Sequence, residues 1–212
     1  PVFEEARALK EYFKEKYNEL REKRETPLYF KELINKNYIF KGPLLEWYVR
    51  IKFRWEKGYR MLHQLVPRHA SVVDVGCGYG YTALALAYSS EGRTVLGIDY
   101  DERKIEVAQN VPSLPATVTF GSGDATDFDY PFADVFVMSD LLHYLMPIEQ
   151  QKLIERVAEK LNAGGKIIVR EGDSNRGKRH KGTIFTEKIS TGSGFNNTRN
   201  ELHFISSATA TR

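Results

Sequence analysis

The spacing of apolar positions divides the chain into an N-terminal helical part and a C-terminal part of alternating strands and helices. In "FEEARALKEYFKEKYNELREK" apolar residues recur every three or four positions, which predicts an amphipathic helix that ends before Pro27. A further helix is predicted to begin at Pro43, because proline is favoured in the first helical turn, and to bend at Gly58. We therefore predict a helical segment over residues 1–66 and a core over residues 67–212.

From Ala70 onward, short apolar runs alternate with helical stretches. "SVVDV" precedes "TALALAYS", "RTVLGID" precedes "DERKIEVAQN", and "PIEQQKLIERVAEKL" leads into "KIIVRE" through "NAGG", which resembles a helix C-cap. Strands of β-branched residues that each lead into a helix are joined by right-handed crossovers, which make neighbouring strands parallel. The pattern therefore predicts an α/β fold with a doubly wound, mostly parallel sheet covered by helices on both faces.

The composition of the 212 residues excludes several classes of function. No run of about twenty apolar residues is present that could cross a membrane, and the first residues do not have the pattern expected of a secretory leader. The single cysteine, Cys77, excludes internal disulfides and multi-cysteine zinc clusters, and the five scattered histidines lack a metal-ligand spacing. We therefore expect a cytoplasmic protein that holds no metal.

The net charge of +3 is unevenly distributed along the chain. Residues 1–70 carry 16 Lys and Arg against 10 Asp and Glu, whereas residues 71–212 carry 15 against 18. A solvated helix face explains this excess, and peripheral contact of the helix from Leu44 to Arg60 with an anionic membrane explains it as well. Charge alone leaves nucleic acid, lipid and an acidic small molecule open as partners.

Three glycines at alternate positions, Gly76, Gly78 and Gly80, separate the first predicted strand of the core from its helix. Glycines at such a turn tolerate positive φ and let the backbone approach a ligand, and ligands of parallel sheets bind at this edge. The spacing differs from the G-x-G-x-x-G of dinucleotide sites, because Tyr81 occupies the third glycine position. Asp74 would repel a pyrophosphate and attract an ammonium, so a nucleoside that carries an amine fits better than a nicotinamide dinucleotide.

"VVDVGCGYG" resembles the first motif, D/E-x-G-x-G-x-G, of class I S-adenosylmethionine-dependent methyltransferases. "VLGIDYD", "GSGDATD", "ADVFVMSDLLHYL" and "LNAGGKIIVRE" resemble the next four strand ends of that family in order, so the resemblance covers about residues 70–171. It implies a Rossmann-like core, S-adenosylmethionine as cofactor and S-adenosylhomocysteine as product. The cofactor-binding residues that it implies are Asp74, Gly76, Cys77, Gly78, Tyr79, Gly80, Asp99, Tyr100, Asp124, Ala125 and Ser139.

By this resemblance, three residues would contact the nucleoside part of the cofactor. Asp99 would hold the ribose hydroxyls, Tyr100 would lie against the adenine, and Asp124 would accept a hydrogen bond from the adenine amino group. Taken singly, each acidic residue is equally well explained as the cap of a turn. The prediction therefore depends on the joint pattern of motifs.

The stretch "SDLLHYL" favours a small-molecule or lipid-like methyl acceptor, because enzymes of the family that methylate exocyclic amines carry an Asn/Asp-Pro-Pro-aromatic turn there. The predicted catalytic residues are His143, Asp140 and Glu171. His143 is a general base or packs beside the cofactor, and Asp140 pairs with His143 or binds the acceptor. An RNA-modifying methyltransferase and a non-catalytic module that binds S-adenosylmethionine remain alternatives, although nucleic acid is the less favoured partner.

The resemblance also makes the N-terminal helical segment a lid that supplies aromatic residues to the acceptor pocket. Tyr38 and Tyr48 are our substrate-binding candidates in this lid. In "GDSNRGKRHKGT", Arg179 and His180 bind a phosphate or carboxylate of the acceptor, or belong to a solvated loop. About forty residues follow Glu171, so we expect the chain to stop short of the family's full sheet. The sequence does not predict an oligomeric state.

Overall fold

The computed structural model describes residues 31–39, 41–55 and 58–171, and it assigns helical conformation to residues 4, 7, 8, 11, 12 and 15. The helices are α1 (Lys31–Lys36), α2 (Pro43–Trp55), α3 (Gly58–Leu65), α4 (Tyr81–Tyr88), α5 (Glu102–Gln109) and α6 (Pro147–Ala158), with a 3-10 helix at Leu142–Tyr144. The strands are β1 (Ala70–Val75), β2 (Arg93–Asp99), β3 (Val118–Ser122), β4 (Ala133–Ser139) and β5 (Leu161–Arg170). Arg179, His180 and the predicted elements after Glu171 lie outside the described residues.

The strands form one parallel sheet in the order β3-β2-β1-β4-β5. The predicted doubly wound, parallel sheet is therefore confirmed for the part of the chain that the structure describes. The chain moves outward from β1 first to β2 and β3, and then to β4 and β5 on the other side. Asp74 of β1 lies in register with Gly97 of β2 and Val137 of β4, so the carboxyl ends of these strands meet at one edge.

Helices cover both faces of the sheet, which explains why its strands are continuous apolar runs. On one face, Val72 and Val95 pack with Ala83 and Leu86 of α4. On the other face, a second buried cluster packs α6 against the sheet; it includes Val73, Val75, Ile98, Phe136, Leu153 and Val157.

The N-terminal helices pack against α4 through a third buried cluster that contains Leu33, Tyr38, Tyr81 and Leu84. Helix α3 is described from Gly58 onward, and the predicted bend at Gly58 stays a prediction. The boundary between residues 1–66 and 67–212, and the role of the first part as a lid, stay predictions. In the described ranges, no helix is both long and apolar enough to span a membrane.

The "NAGG" stretch belongs to β5, so the predicted helix C-cap at this place is wrong. Helix α6 ends at Ala158, and β5 begins at Leu161 opposite Ala133. The ladder then shifts, because Val135 pairs with Lys166, and the extra residues of β5 bulge out between these two pairs. Gly164 adopts a φ of +78° within this bulge, which explains a glycine there.

Candidate active site

The turn between β1 and α4 is held at its ends and open in its middle. Gly76, Gly78 and Gly80 have φ values of +72°, +55° and +81°, in the left-handed region that disfavours other residues. The N–H groups of Gly76 and Cys77 both donate to the Ile98 carbonyl, at 2.8 and 2.9 Å, and fix the turn to β2. A Cβ built on Gly78 meets no atom within 4 Å, so a ligand can approach the backbone there.

Asp99, at the end of β2, ties the glycine turn to the neighbouring strand. Its Oδ2 accepts from the Gly78 N–H at 2.8 Å, and its Oδ1 accepts from the Asp101 N–H at 3.0 Å. Each carboxylate oxygen has two lone pairs, so Asp99 can still accept from hydroxyl groups of a ligand. The ribose contact predicted for Asp99 is compatible with this geometry and stays a prediction.

A narrow cleft adjoins this turn at the carboxyl ends of β1 and β4. It is lined by Gly58, Tyr59, Leu62, Asp74, Gly76, Cys77, Tyr81, Thr82, Ser139 and Arg170. Asp74 is 1% exposed, and a carboxylate at this depth attracts a positively charged group of a ligand. Ser139 Oγ is also buried and has no hydrogen-bond partner among the described residues.

These residues fit the amino-acid part of S-adenosylmethionine. The Asp74 carboxylate suits an ammonium, the Ser139 hydroxyl offers a donor and an acceptor, and the open side of Gly78 leaves room for the ligand. Cys77 contributes backbone, because burial, and then the nearby Asp74 and Asp99 carboxylates, raise the pKa of its thiol well above its usual value. The cleft therefore supplies charge and shape for a ligand, and its cysteine stays a thiol.

The residues predicted to contact adenine lie outside this cleft. Tyr100 is half-exposed, with 50% of its surface accessible. Asp124 Oδ1 accepts from the Thr126 N–H at 2.8 Å and from the Thr126 hydroxyl at 2.7 Å, and so caps a turn. The Ala125 carbonyl accepts from the Tyr130 hydroxyl at 2.8 Å. The adenine contacts of Tyr100, Asp124 and Ala125 stay predictions.

Glu171 follows β5 directly and organises the segment that carries His143. Its Oε1 accepts from the N–H groups of Leu141 and Leu142, at 2.8 and 2.6 Å, and its Oε2 lies 2.6 Å from His143 Nδ1. An ionised carboxylate can only accept, so it holds the proton on Nδ1 and leaves Nε2 as the acceptor of the ring. General bases are often histidines that a neighbouring carboxylate orients in this way. His143 is 1% exposed, however, and does not line the cleft.

Asp140 contacts Arg170, and the residue that contacts His143 Nδ1 is Glu171. Asp140 has a φ of +56°, and its N–H donates to the Arg170 carbonyl at 2.8 Å. Ser139 is also in register with Arg170, so the alignment of β4 and β5 sets Asp140 beside the guanidinium. Sequence reasoning missed Arg170, although a charged residue at the end of an apolar strand was a signal for it.

Tyr38 supports the glycine turn from outside the cleft. It is fully buried, and its hydroxyl donates to the Tyr79 carbonyl at 2.6 Å. Burial raises the pKa of Tyr38 well above its usual value, so the phenol keeps the proton that it donates. Tyr48 is half-buried and packs on the same cluster as Tyr79. In this structure neither Tyr38 nor Tyr48 lines the cleft, and their contacts with a substrate stay predictions.

Comparisons with known proteins identify the kind of domain that carries this site. Residues 72–165 match the family model described as "Methyltransferase domain". The carboxy-S-adenosyl-L-methionine synthase of Campylobacter jejuni subsp. doylei is 26% identical over 112 residues, which are 52% of this chain and 48% of that protein. The chain thus spans about half the length of the curated relatives that it matches.

Solved structures share the fold. The PH0226 protein of Pyrococcus horikoshii OT3 is 25% identical and matches with a TM-score of 0.51 over 57% of each chain. Human N-acetylserotonin methyltransferase, solved in complex with S-adenosylmethionine, matches with a TM-score of 0.57 at 21% identity, over 84% of this chain and 50% of that chain. At these identities the comparison establishes the shared sheet and helices.

Proposed function

Because residues 72–165 form a methyltransferase domain of the class I, S-adenosylmethionine-dependent type, we propose that the chain transfers a methyl group to a small-molecule or lipid-like acceptor. The observation that carries this proposal is the cleft, in which the buried Asp74 carboxylate lies beside the Gly76 backbone and the buried Ser139 hydroxyl. S-adenosylmethionine, when bound, supplies a methyl group activated by a sulfonium. The chain has to bind it, align the acceptor and exclude water.

Binding is the task of the carboxyl ends of β1 and β2 and of the glycine turn between β1 and α4. Asp74 binds the ammonium of the cofactor, and the open side of Gly78 lets the backbone approach the ligand. Asp99 Oδ2 accepts from the Gly78 N–H at 2.8 Å. This places a carboxylate beside the turn, where it can accept from the ribose hydroxyls. The chemistry of these groups supports a nucleoside that carries a charged amine.

His143 serves as the general base for an acceptor that loses a proton on methylation. Glu171 holds the proton on His143 Nδ1, so that Nε2 can accept the proton of an acceptor hydroxyl or amine. A base must lie within hydrogen-bond reach of the proton that it removes, and the burial of His143 therefore restricts the acceptors that it can serve. Glu171 acts through His143 and is a positioning residue.

The segment after β4 supports a small or lipid-like acceptor. The segment that follows Ser139 is "DLLHYL" and forms a 3-10 helix at Leu142–Tyr144, where amine-methylating enzymes of the family carry a Pro-Pro turn. We also propose a cytoplasmic location, because the one cysteine of the chain suits a reducing compartment.

A second candidate function is a reaction that modifies S-adenosylmethionine itself. The observation that favours it is the similarity, over 112 residues, to proteins named carboxy-S-adenosyl-L-methionine synthase. In that case the product of the chain would be a derivative of the cofactor, and no S-adenosylhomocysteine would form.

One experiment separates these functions. The full chain is incubated with S-adenosylmethionine and sets of small-molecule, lipid and RNA acceptors, and every product is identified by mass spectrometry. Methyl transfer predicts S-adenosylhomocysteine together with one methylated small or lipid acceptor, and a His143→Asn variant that is slowed about 100-fold or more. Methylated RNA, a modified cofactor, or cofactor that is bound and returned unchanged in every set would contradict the proposal.

A further inference from the structure

The cleft carries two charged side chains of opposite sign. Asp74 and Arg170 are the charged residues among those that line it. Asp74 is almost fully buried, and the Arg170 side chain is 22% exposed at the end of β5. The proposed function uses the negative charge of this pair and leaves the positive charge without a role.

Two neighbouring elements position the Arg170 side chain at the cleft. The Nη2 group of Arg170 contacts the Asp140 carboxylate at the exit of β4. The backbone carbonyl of Arg170 accepts from the Asp140 N–H at 2.8 Å. At the start of α3, a Cβ on Gly58 would lie 3.0 Å from Arg170 Cδ, so the absence of a side chain there lets the arginine pass. The guanidinium is therefore a fixed part of the cleft wall.

A guanidinium can hold more than one carboxylate. It offers five N–H donors in a planar fork, whereas one carboxylate accepts at most two of them in a bidentate pair. Arg170 can thus keep its contact with Asp140 and bind a second anion that enters the cleft. A lysine would present a single ammonium at this place and could not share it in the same planar geometry.

An α-amino acid carries an ammonium and a carboxylate on the same carbon atom. We infer that Arg170 binds the α-carboxylate of the amino-acid part of the ligand while Asp74 binds its ammonium, so that the cleft recognises a zwitterion. This assignment rests on the proposed function, because S-adenosylmethionine ends in such an amino acid. It adds a residue of β5 to the binding site and makes the carboxylate a requirement for tight binding.

The test compares two ligands that differ only in this carboxylate, S-adenosylmethionine and decarboxylated S-adenosylmethionine. Calorimetric titration of the full chain is expected to give a 10- to 100-fold tighter dissociation constant for the first ligand, which is about the contribution of a hydrogen bond to a charged group. Arg170→Met should remove this preference and leave the affinity for the decarboxylated ligand within about twofold of that of the unchanged chain. Arg170→Lys should restore part of the preference.

Arg156→Met is the matched control. Arg156 belongs to α6 and donates to the carbonyls of Phe128 and Asp127, away from the cleft, so its loss changes the net charge equally. This variant should keep the full preference for the carboxylate, and thermal unfolding checks that each variant is folded.

The outcomes separate this inference from the function on which it rests. Equal affinity of the unchanged chain for both ligands, or an Arg170→Met variant that weakens both equally, overturns the role of Arg170 and leaves the proposed function intact. A folded chain that binds neither ligand overturns both.

Discussion

Gly80 and Gly78 are glycines for different physical reasons. Both have positive φ, which costs another residue roughly 1 kcal/mol. A Cβ on Gly80 would in addition lie 2.5 Å from the Phe120 ring, whereas a Cβ on Gly78 would enter open space. Packing therefore requires the first glycine, whereas the second borders open space in which we propose that a ligand binds.

We predict that alanine at Gly80 mainly lowers stability, whereas alanine at Gly78 mainly weakens ligand binding. Gly80→Ala should lower the free energy of unfolding by about 2–4 kcal/mol, because backbone strain adds to overpacking against Phe120. Gly78→Ala should cost only about 1 kcal/mol of stability but weaken the binding of S-adenosylmethionine more than tenfold. Urea unfolding and calorimetric titration of both variants measure the two effects. An equal loss of stability in both would contradict the different roles.

Arg93 is fully buried and carries its charge without a contacting carboxylate among the described residues. Its guanidinium donates to the carbonyls of Val66 at 2.6 Å and of Leu86 at 3.0 Å, near the C-terminal ends of α3 and α4, where the helix dipoles are negative. Burial still lowers the pKa of Arg93 to about 10. Its NH1 group also lies 3.2 Å from His63 Nδ1, so a neutral His63 accepts a hydrogen bond from a cation.

The free energy of unfolding should therefore fall in acid, because His63 becomes protonated. Burial, and then the charges of Arg93 and Arg68, lower the pKa of His63 below 6.5, so the unfolded chain binds its proton more readily than the folded chain. The free energy of unfolding should thus decrease as the pH falls below about 6.5, and this loss should level off below the pKa of folded His63. His63→Asn should flatten the profile over that window, as measured by urea unfolding. An unchanged slope in the variant would rule out His63 as the cause.

At the scale of elements, α1 and the turn after it are joined to the core by two sets of buried hydrogen bonds. One is the contact of Tyr38 with the Tyr79 carbonyl in the glycine turn. In the other, the Tyr88 hydroxyl accepts from Asn37 at 2.9 Å and donates to the Ser113 carbonyl at 2.7 Å. Only the first set contacts the glycine turn, so substitutions can separate the effects of the two sets.

Tyr38→Phe keeps the ring and removes the hydroxyl that holds the glycine turn. We expect it to weaken the binding of S-adenosylmethionine about 3- to 10-fold, because one buried hydrogen bond contributes roughly 1 kcal/mol. Tyr88→Phe is the control, which should lower the free energy of unfolding by a similar amount and leave the affinity unchanged. Calorimetry and urea unfolding on both variants give the comparison. Equal affinities of the two variants would mean that Tyr38 has a packing role only.

The strands and helices of the core could be predicted from the sequence, and contacts that depend on register could not. Apolar runs such as residues 135–138 occur because helices bury both faces of the sheet, and this pattern is visible in the sequence. The bulge at Gly164 and the contact of Asp140 with Arg170 arise from the alignment of β5 with β4. Such alignment joins residues about thirty positions apart, and no local pattern specifies it.

For the whole molecule, the topology explains why the candidate site has residues from so many parts of the chain. The order β3-β2-β1-β4-β5 brings the ends of β1, β4 and β5 to one cleft, and the ends of β1 and β2 to one turn. The sequence motifs correctly predicted that the ends of β1 and β2 are neighbours, because these motifs follow a family pattern. Arg170 and the support from Tyr38 required the folded arrangement.

The measurement that tests this account most directly is a calorimetric titration of the full chain with S-adenosylmethionine and S-adenosylhomocysteine, with NADPH as the control ligand. The account predicts micromolar binding of the first two ligands, no binding of NADPH, and loss of binding in a folded Asp99→Ala variant. A folded chain that binds neither S-adenosyl ligand, or that binds NADPH in preference, would contradict it.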